Sequence, residues 1–245
     1  MPLFEATDAE FRFRPWLIGG LFLAAFALYA VDPHNAGVSL LRLAHGGRFD
    51  PSTPPGSLEL RALFGVGALL AAAAALLRTW AAAYLSSTVV HDVALHADRL
   101  VADGPYRHLR NPLYAGIILL ALGMAPIACR LGAVLLVAGI WFFTRRLIGR
   151  EERQLASTQG ASYQAYLAAV PRLWPALRPR LPAAGSAPRW GQAFLGEIFF
   201  WLYAASMTIF AATGESRILK WAGQGTLVAY LLVFTLRGLK RRRSS

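Results

Sequence analysis

Six apolar stretches, at residues 16–31, 60–77, 113–128, 131–144, 193–213 and 221–236, dominate this chain. Most approach the roughly 20 residues that an α-helix needs to cross a bilayer. The third and fourth are short by that measure, and each alone also reads as a helix buried in a large core. Six in one chain of 245 residues argue against a soluble domain. They predict an all-α fold, a polytopic membrane helix bundle of about six transmembrane helices. Hydrophobic residues make up 56% of the chain, yet its formal charge is +12, so the charges must be segregated from the apolar runs.

That segregation predicts a topology. With both termini in the cytoplasm, about 19 of the 25 Lys and Arg fall on the inner side, the arrangement that insertion favours. The basic tail "RGLKRRRSS" belongs to this signal, with attraction to anionic inner-leaflet lipid as a second reading. No nucleic-acid partner is expected. The first run ends in small residues, "FALYA", as a cleaved signal would, but Glu5, Asp8 and Glu10 occupy the place of its basic region, so an uncleaved helix is expected. The lone Cys129 excludes an internal disulfide.

Between the runs, residues 32–59 contain "FDPSTPPGS" and read as an irregular outer connector that caps the face or merely links two helices. The Ala-rich "ALLAAAAALL" reads as a helix-packing surface. Residues 151–189 begin as a charged helix, break near Gly160, resume through Tyr163 and Tyr166, and end in proline-spaced Arg and Trp. This is either a cytoplasmic surface helix after the fourth span, with Leu167, Val170, Leu173 and Trp174 toward lipid or protein, or a solvated tether.

Cys129 and Arg130 leave only a tight turn between the third and fourth runs, which must therefore form an antiparallel hairpin. At equal rise per residue, Tyr114 falls level with Arg145 and Asn111 with Ile148. "GPYRHLRNPLY" and "RRLIGREER" then meet at the cytoplasmic surface. Pro105 and Pro112 fit a loop that turns into the first turn of a helix. The amides of that turn, with Arg107 or Arg110, suit an anion, and Glu151 with Glu152 suits a cation. Taken singly, Arg107, His108 and Arg110 also read as positive-inside residues, the tyrosines as interfacial aromatics, and the glutamates as partners for Arg145 to Arg153. Brought together, they predict a pocket.

The order His91, Leu100-Val101, Gly104-Pro105-Tyr106, Arg110-Asn111-Pro112, Tyr114 and Gly116, then an apolar hairpin, then Arg146, Glu151-Glu152, Leu155, Gly160, Tyr163, Tyr166 and Val170-Pro171, resembles the isoprenylcysteine carboxyl methyltransferase and phospholipid methyltransferase superfamily. The resemblance covers about residues 91–175. It implies an integral membrane enzyme that uses S-adenosylmethionine, bound at the cytoplasmic mouth of the hairpin. The implied cofactor-binding residues are His91, Gly104, Pro105, Tyr106, Arg110, Pro112, Tyr114, Arg146, Glu151 and Glu152, and the implied catalytic residues are Arg110, Asn111 and Tyr114. Arg110 suits the cofactor carboxylate, Glu152 or Glu151 its ammonium or ribose, and Tyr106 or Tyr114 its sulfonium. Gly104 would let backbone approach the cofactor closely.

The family often has histidine where this chain has Asn111, which does not titrate near neutral pH and leaves that position orientation or hydrogen bonding. His108 and His91 remain as titratable groups. His96 and Asp92 beside His91 hint at metal ligation without a convincing geometry, and no metal is expected. The expected organisation is 1–90 for two N-terminal membrane helices and the outer loop, 91–180 for the catalytic core, and 181–245 for two C-terminal helices with the basic tail. The acceptor is expected to be lipid-soluble and to enter from membrane lipid: a prenylcysteine-like carboxylate, an amino phospholipid or a small thiol. Glu197 has no expected role. A steroid-reductase-type enzyme that binds NADPH, and a non-catalytic scaffold, are the alternatives.

Overall fold

The computed structural model describes residues 5–91, 103–226 and 228, and of 86–91 the backbone alone. Among these, the chain is α-helical with short 3-10 turns. The α-helices are α1 (Asp8–Arg12), α2 (Arg14–Ala27), α3 (Ala36–Ala44), α4 (Pro54–His91), α5 (Pro112–Met124), α6 (Arg130–Gln159), α7 (Ala161–Ala169), α8 (Trp190–Gly196) and α9 (Ile198–Thr213). Residues 54–85 of α4 and the whole of α6 are long and apolar enough to cross a membrane, and α8 with α9 forms a third candidate bent by 64°. The first and third apolar runs become shorter apolar helices, Arg14–Ala30 and Pro112–Ile127 once their 3-10 extensions are included. The sixth run lies mostly outside the described residues. The protein is therefore an integral membrane helix bundle with two or three full-length candidate spans among the described residues, fewer than the six expected.

Local chemistry sets the helix ends. Asn35 caps α3 through its side-chain oxygen, which accepts from the Val38 amide at 2.9 Å. Pro112 occupies the first turn of α5, where its missing N–H leaves no bond unmade. Gly160 adopts a φ of 58° and breaks the chain between α6 and α7, as its position in the sequence led us to expect. Two expectations are corrected. The fourth apolar run and the charged stretch after it are one continuous helix, because nothing between residues 130 and 159 interrupts the helical hydrogen bonding. The outer connector is not wholly irregular: it contains α3, pinned to the α5–α6 turn by Ala36 N–H to Ala128 O at 2.8 Å and Arg130 N–H to His34 O at 3.1 Å. Asp32, buried beside that turn, accepts from the Arg130 guanidinium at 2.9 Å, and this holds its carboxyl well below the usual carboxylate range.

The core joins Ala68, Ala71, Ala74 and Ala75 of α4 to Ile117, Leu120 and Met124 of α5, Leu136 and Ile140 of α6, and Met207 of α9. The alanine run is a packing surface, as expected, because only small side chains let helix axes approach this closely. At the crossing of Gly67 and Gly123 the backbones nearly touch: a Cβ on Gly123 would stand 2.5 Å from the Gly67 carbonyl oxygen and 3.3 Å from the Ala71 amide nitrogen. Both neighbours are backbone and cannot turn aside. Gly123→Ala is expected to cost about 1–3 kcal/mol through overpacking, and a thermal melt in detergent that matches the parent protein would contradict this contact.

Candidate active site

The α5–α6 hairpin brings the two polar strings together, but with a shifted register. The Tyr114 hydroxyl donates to Glu151 at 2.8 Å and the Asn111 amide to Glu152 at 3.2 Å, in place of the expected levels at Arg145 and Ile148. The cause is the turn: Ala125–Ile127 is a 3-10 helix, and Ala128 and Cys129 are extended. Such residues advance about 2.0 and 3.3 Å each instead of 1.5 Å, so α5 descends farther and meets later residues of α6.

A cavity of about 650 Å³ opens at this meeting point. Of the expected site residues, Tyr106, Arg110, Asn111, Pro112, Tyr114 and Glu151 line it. Tyr163 and Tyr166 of α7 join them, and the Tyr166 hydroxyl donates to the Tyr106 carbonyl at 2.9 Å. Burial pushes the Tyr163 phenol up to about 12 and raises those of Tyr106 and Tyr166, so all three stay protonated at neutral pH. Ile18, Phe22, Ile117 and Phe200 add apolar wall, and the Arg78 guanidinium lies 4.2 Å from the centre of the Phe200 ring. The cavity wall is therefore both polar and apolar.

Other expected residues stand elsewhere. Glu152 lies behind the wall: its carboxylate accepts from Arg172 Nε at 2.9 Å and pairs with Arg110 Nε at 3.3 Å. Arg110 itself donates from Nη1 to the Leu167 carbonyl at 2.6 Å, while its buried Nε makes no aligned hydrogen bond. Arg146 binds Glu10 at 2.7 Å, where the N-terminal segment runs along α6, and does not line the cavity. Gly104, at φ 57°, is required by protein, not ligand, since a Cβ there would collide with the Tyr84 ring; Pro105 beside it is buried. His108 binds the Ala176 carbonyl through Nδ1 at 2.8 Å. The His91 side chain, Asp92 and His96 lie outside the described residues. No group of three His, Cys, Asp or Glu among the described residues is placed to hold a metal.

Residues 171–186 fold back over this end. The Arg110 amide donates to Pro171 O, Ala176 N–H to His108 O and Arg180 N–H to Arg107 O, all within 2.8–2.9 Å. Val170 is buried against the α7 tyrosines, while Trp174 stays exposed. The segment is thus tied to this end by backbone hydrogen bonds and is not a free tether, although most of its side chains stay exposed. Its far end is fixed by Asp103, whose carboxylate accepts from the Ala184 and Ser186 amides at 2.8 and 2.7 Å. Burial alone would raise that carboxyl, but the two amide bonds outweigh it and hold it below the usual range. A lowered folded pKa contributes stability that is complete above the unfolded value of about 3.9 and is lost as pH falls through the folded one. Asp103→Asn at pH 7 is therefore expected to speed exchange at the Ala184 and Ser186 amides about tenfold. Acidification well below pH 4 should do the same to the unmodified chain; unchanged protection factors would contradict it.

Sequence reasoning missed two contributors. Arg78 of α4 lines the cavity, donating from Nε and Nη2 to Glu197 at 2.6 and 2.9 Å and from Nη1 to the Leu113 carbonyl at 2.9 Å. Glu197 sits buried at the bend between α8 and α9, so the absence of an assigned role is corrected: it neutralises a cavity arginine across the bundle. Arg14, at the start of α2, is the other. A charge at the edge of an apolar run was the available signal, and it reads equally as positive-inside charge.

Residues 67–157 match the model of the isoprenylcysteine carboxyl methyltransferase (ICMT) family. The matched segment runs from the middle of α4 through α5 into the charged part of α6, and holds Arg78, Tyr106, Arg110, Tyr114 and Glu151 of the cavity wall. It begins earlier than the resemblance read from sequence and leaves out α2, α7 and α9. No curated protein and no solved structure matches the chain.

Proposed function

Taking the isoprenylcysteine carboxyl methyltransferase resemblance of residues 67–157 as the premise, we propose that this membrane methyltransferase moves a methyl group from S-adenosylmethionine to a lipophilic or amphiphilic acceptor. The observation that carries the proposal is the cavity itself, lined by polar and apolar side chains together, with Glu151 in its wall. The residues fit the cofactor on their own chemistry. Glu151 accepts from the Tyr114 hydroxyl and makes no ion pair within 4 Å among the described residues, with Arg14 as a more distant opposite charge, so its carboxylate can take a cation from a ligand. Arg110 lines the cavity while its Nε is held 3.3 Å from Glu152, so its orientation is fixed for a carboxylate to approach.

Bound there, S-adenosylmethionine supplies an electrophilic methyl group. Glu151 would hold the cationic part and Arg110 the carboxylate, while the rings of Tyr106 and Tyr163 offer π faces. Tyr106, Tyr163 and Tyr166, neutral at physiological pH, donate hydrogen bonds and take no proton. Asn111 is engaged with Glu152 and with the Arg172 carbonyl at 3.2 Å, so it orients the wall and transfers no proton. In-line displacement needs alignment, and the bonds from residues 171–180 to the backbone of Arg107, His108 and Arg110 help fix the start of α5. In this reading 91–180 is the catalytic core, both termini are cytoplasmic, and the acceptor comes from the lipid phase.

The test is incubation of membranes with methyl-labelled S-adenosylmethionine, followed by identification of the labelled product. Calorimetry on the purified protein adds a second arm. Heat with S-adenosylhomocysteine and none with NADPH is expected, and the reverse would replace the methyltransferase reading with the reductase one.

A further inference from the structure

We infer that residues 174–180 form a face on the membrane surface that binds anionic lipid: Arg178 and Arg180 hold the head groups, and Trp174 and Leu177 enter the interface beside them. The backbone of this segment is committed to the protein. It passes residues 103–110 in the reverse direction, with Arg110 N–H to Pro171 O at 2.9 Å, Ala176 N–H to His108 O at 2.9 Å and Arg180 N–H to Arg107 O at 2.8 Å. The Arg107 side chain adds a bond from Nε to Leu181 O at 2.7 Å, and the Arg189 amide donates to Ala83 O at 3.0 Å. The outward side chains are not committed. Trp174 is 79% exposed and Leu177 99%. Arg178 and Arg180 are exposed and make no ion pair among the described residues.

The anchors of the segment set its depth. Ala83 lies in the last turn of the candidate span 54–85, and Arg110 stands two residues before α5 begins at Pro112. Both are places where an apolar helix ends, which is the level at which tryptophan rings and arginine side chains favour a bilayer. Pro175, Pro179 and Pro182 bring no N–H, so the segment offers few unpaired donors there. Charge then chooses the lipid. Between Glu152 and Glu197 the sequence has five arginines, at 153, 172, 178, 180 and 189, and no acidic residue. Arg153 and Arg172 are matched by Glu5 and Glu152, which leaves the exposed Arg178 and Arg180 to an external anion. A neutral lipid would take the tryptophan and the leucine but leave both guanidiniums to water. Because the same backbone bonds reach Arg107, His108 and Arg110, lipid held here steadies the loop that carries Tyr106 and Arg110 of the cavity wall.

The test places the full chain in phosphatidylcholine nanodiscs that contain a minor fraction of acyl-brominated lipid, either phosphatidylglycerol or phosphatidylcholine, and measures quenching of tryptophan fluorescence. The chain has seven tryptophans, and subtracting the signal of Trp174→Phe isolates the Trp174 part. Brominated phosphatidylglycerol is expected to quench that part at a lower fraction than brominated phosphatidylcholine does. The ratio of the two apparent association constants is expected to fall about fivefold or more in the double variant Arg178→Gln/Arg180→Gln. It should hold in Arg48→Gln, which removes an exposed charge from the connector between α3 and α4. These substitutions leave the backbone bonds in place, and a thermal melt on each variant checks the fold. A Trp174 part that neither lipid quenches would assign the face to water or to a protein partner and overturn the inference. Equal quenching by the two lipids, or a preference that survives the double substitution, would overturn it as well. Methyl transfer is not among the readouts, so the outcome is independent of the reading above.

Discussion

Replacing Glu151 by glutamine is expected to weaken S-adenosylhomocysteine binding by about 30-fold or more while leaving the melting temperature nearly unchanged, since removing one partner of a desolvated charge pair costs about 2–5 kcal/mol. Both halves follow from geometry. The Glu151 side chain lines the cavity, and among the described residues its hydrogen bond is with the Tyr114 hydroxyl at 2.8 Å, which a glutamine oxygen still accepts. The fold therefore loses little and the ligand loses its counter-charge. Tyr114→Phe removes only a support and is expected to cost a few-fold. Calorimetry with S-adenosylhomocysteine and a thermal melt on the same preparation check both. Unaltered affinity in Glu151→Gln would remove this carboxylate from the site.

Its sequence neighbour should behave in the opposite way. Glu152→Ala is expected to destabilise the chain by about 3–5 kcal/mol, because it leaves two buried or half-buried guanidiniums without their shared carboxylate. Arg172 binds one oxygen at 2.9 Å, Arg110 pairs with the other at 3.3 Å, and the Asn111 amide donates to that same second oxygen. These bonds tie the segment at residue 172 to the start of α5, so the loss should loosen the site as a whole. Glutamine at this position keeps the shape and some of the hydrogen bonds, and it should fall between. A melting temperature equal to the parent's in Glu152→Ala would show that the clasp contributes nothing.

These contrasting neighbours mark where reasoning from sequence stopped. That Glu151 and Glu152 would meet Tyr106, Arg110 and Tyr114 was legible, because an apolar hairpin with a short turn brings its two polar ends together. Which glutamate would face a ligand was not. Consecutive residues on a helix point about 100° apart, and the rotation of α6 depends on how the Ala125–Ile127 turn and the α2 contacts seat it. Gly104 teaches the same lesson from another side. A glycine in the motif suggested close approach of a ligand, whereas the Tyr84 ring of α4 fills the space. Arg78 and Glu197, 119 residues apart, pair only because α4 and α9 pack together.

What the chain determined by pattern alone is its membrane-helix architecture, the hairpin, the break at Gly160 and the gathering of polar residues at one end. These follow from hydrophobic run length, proline and glycine conformational limits, and the confinement of charge to helix ends, all properties of neighbouring residues. What only the tertiary structure decided is the assignment of partners: Arg78 to Glu197, Arg110 and Arg172 to Glu152, and Arg14 and Glu151 to the cavity without ion pairs among the described residues. Partner choice depends on helix rotation and crossing, which arise from the packing of distant small and large side chains. A charge's role in this protein is set by whether that packing supplies it with an opposite charge.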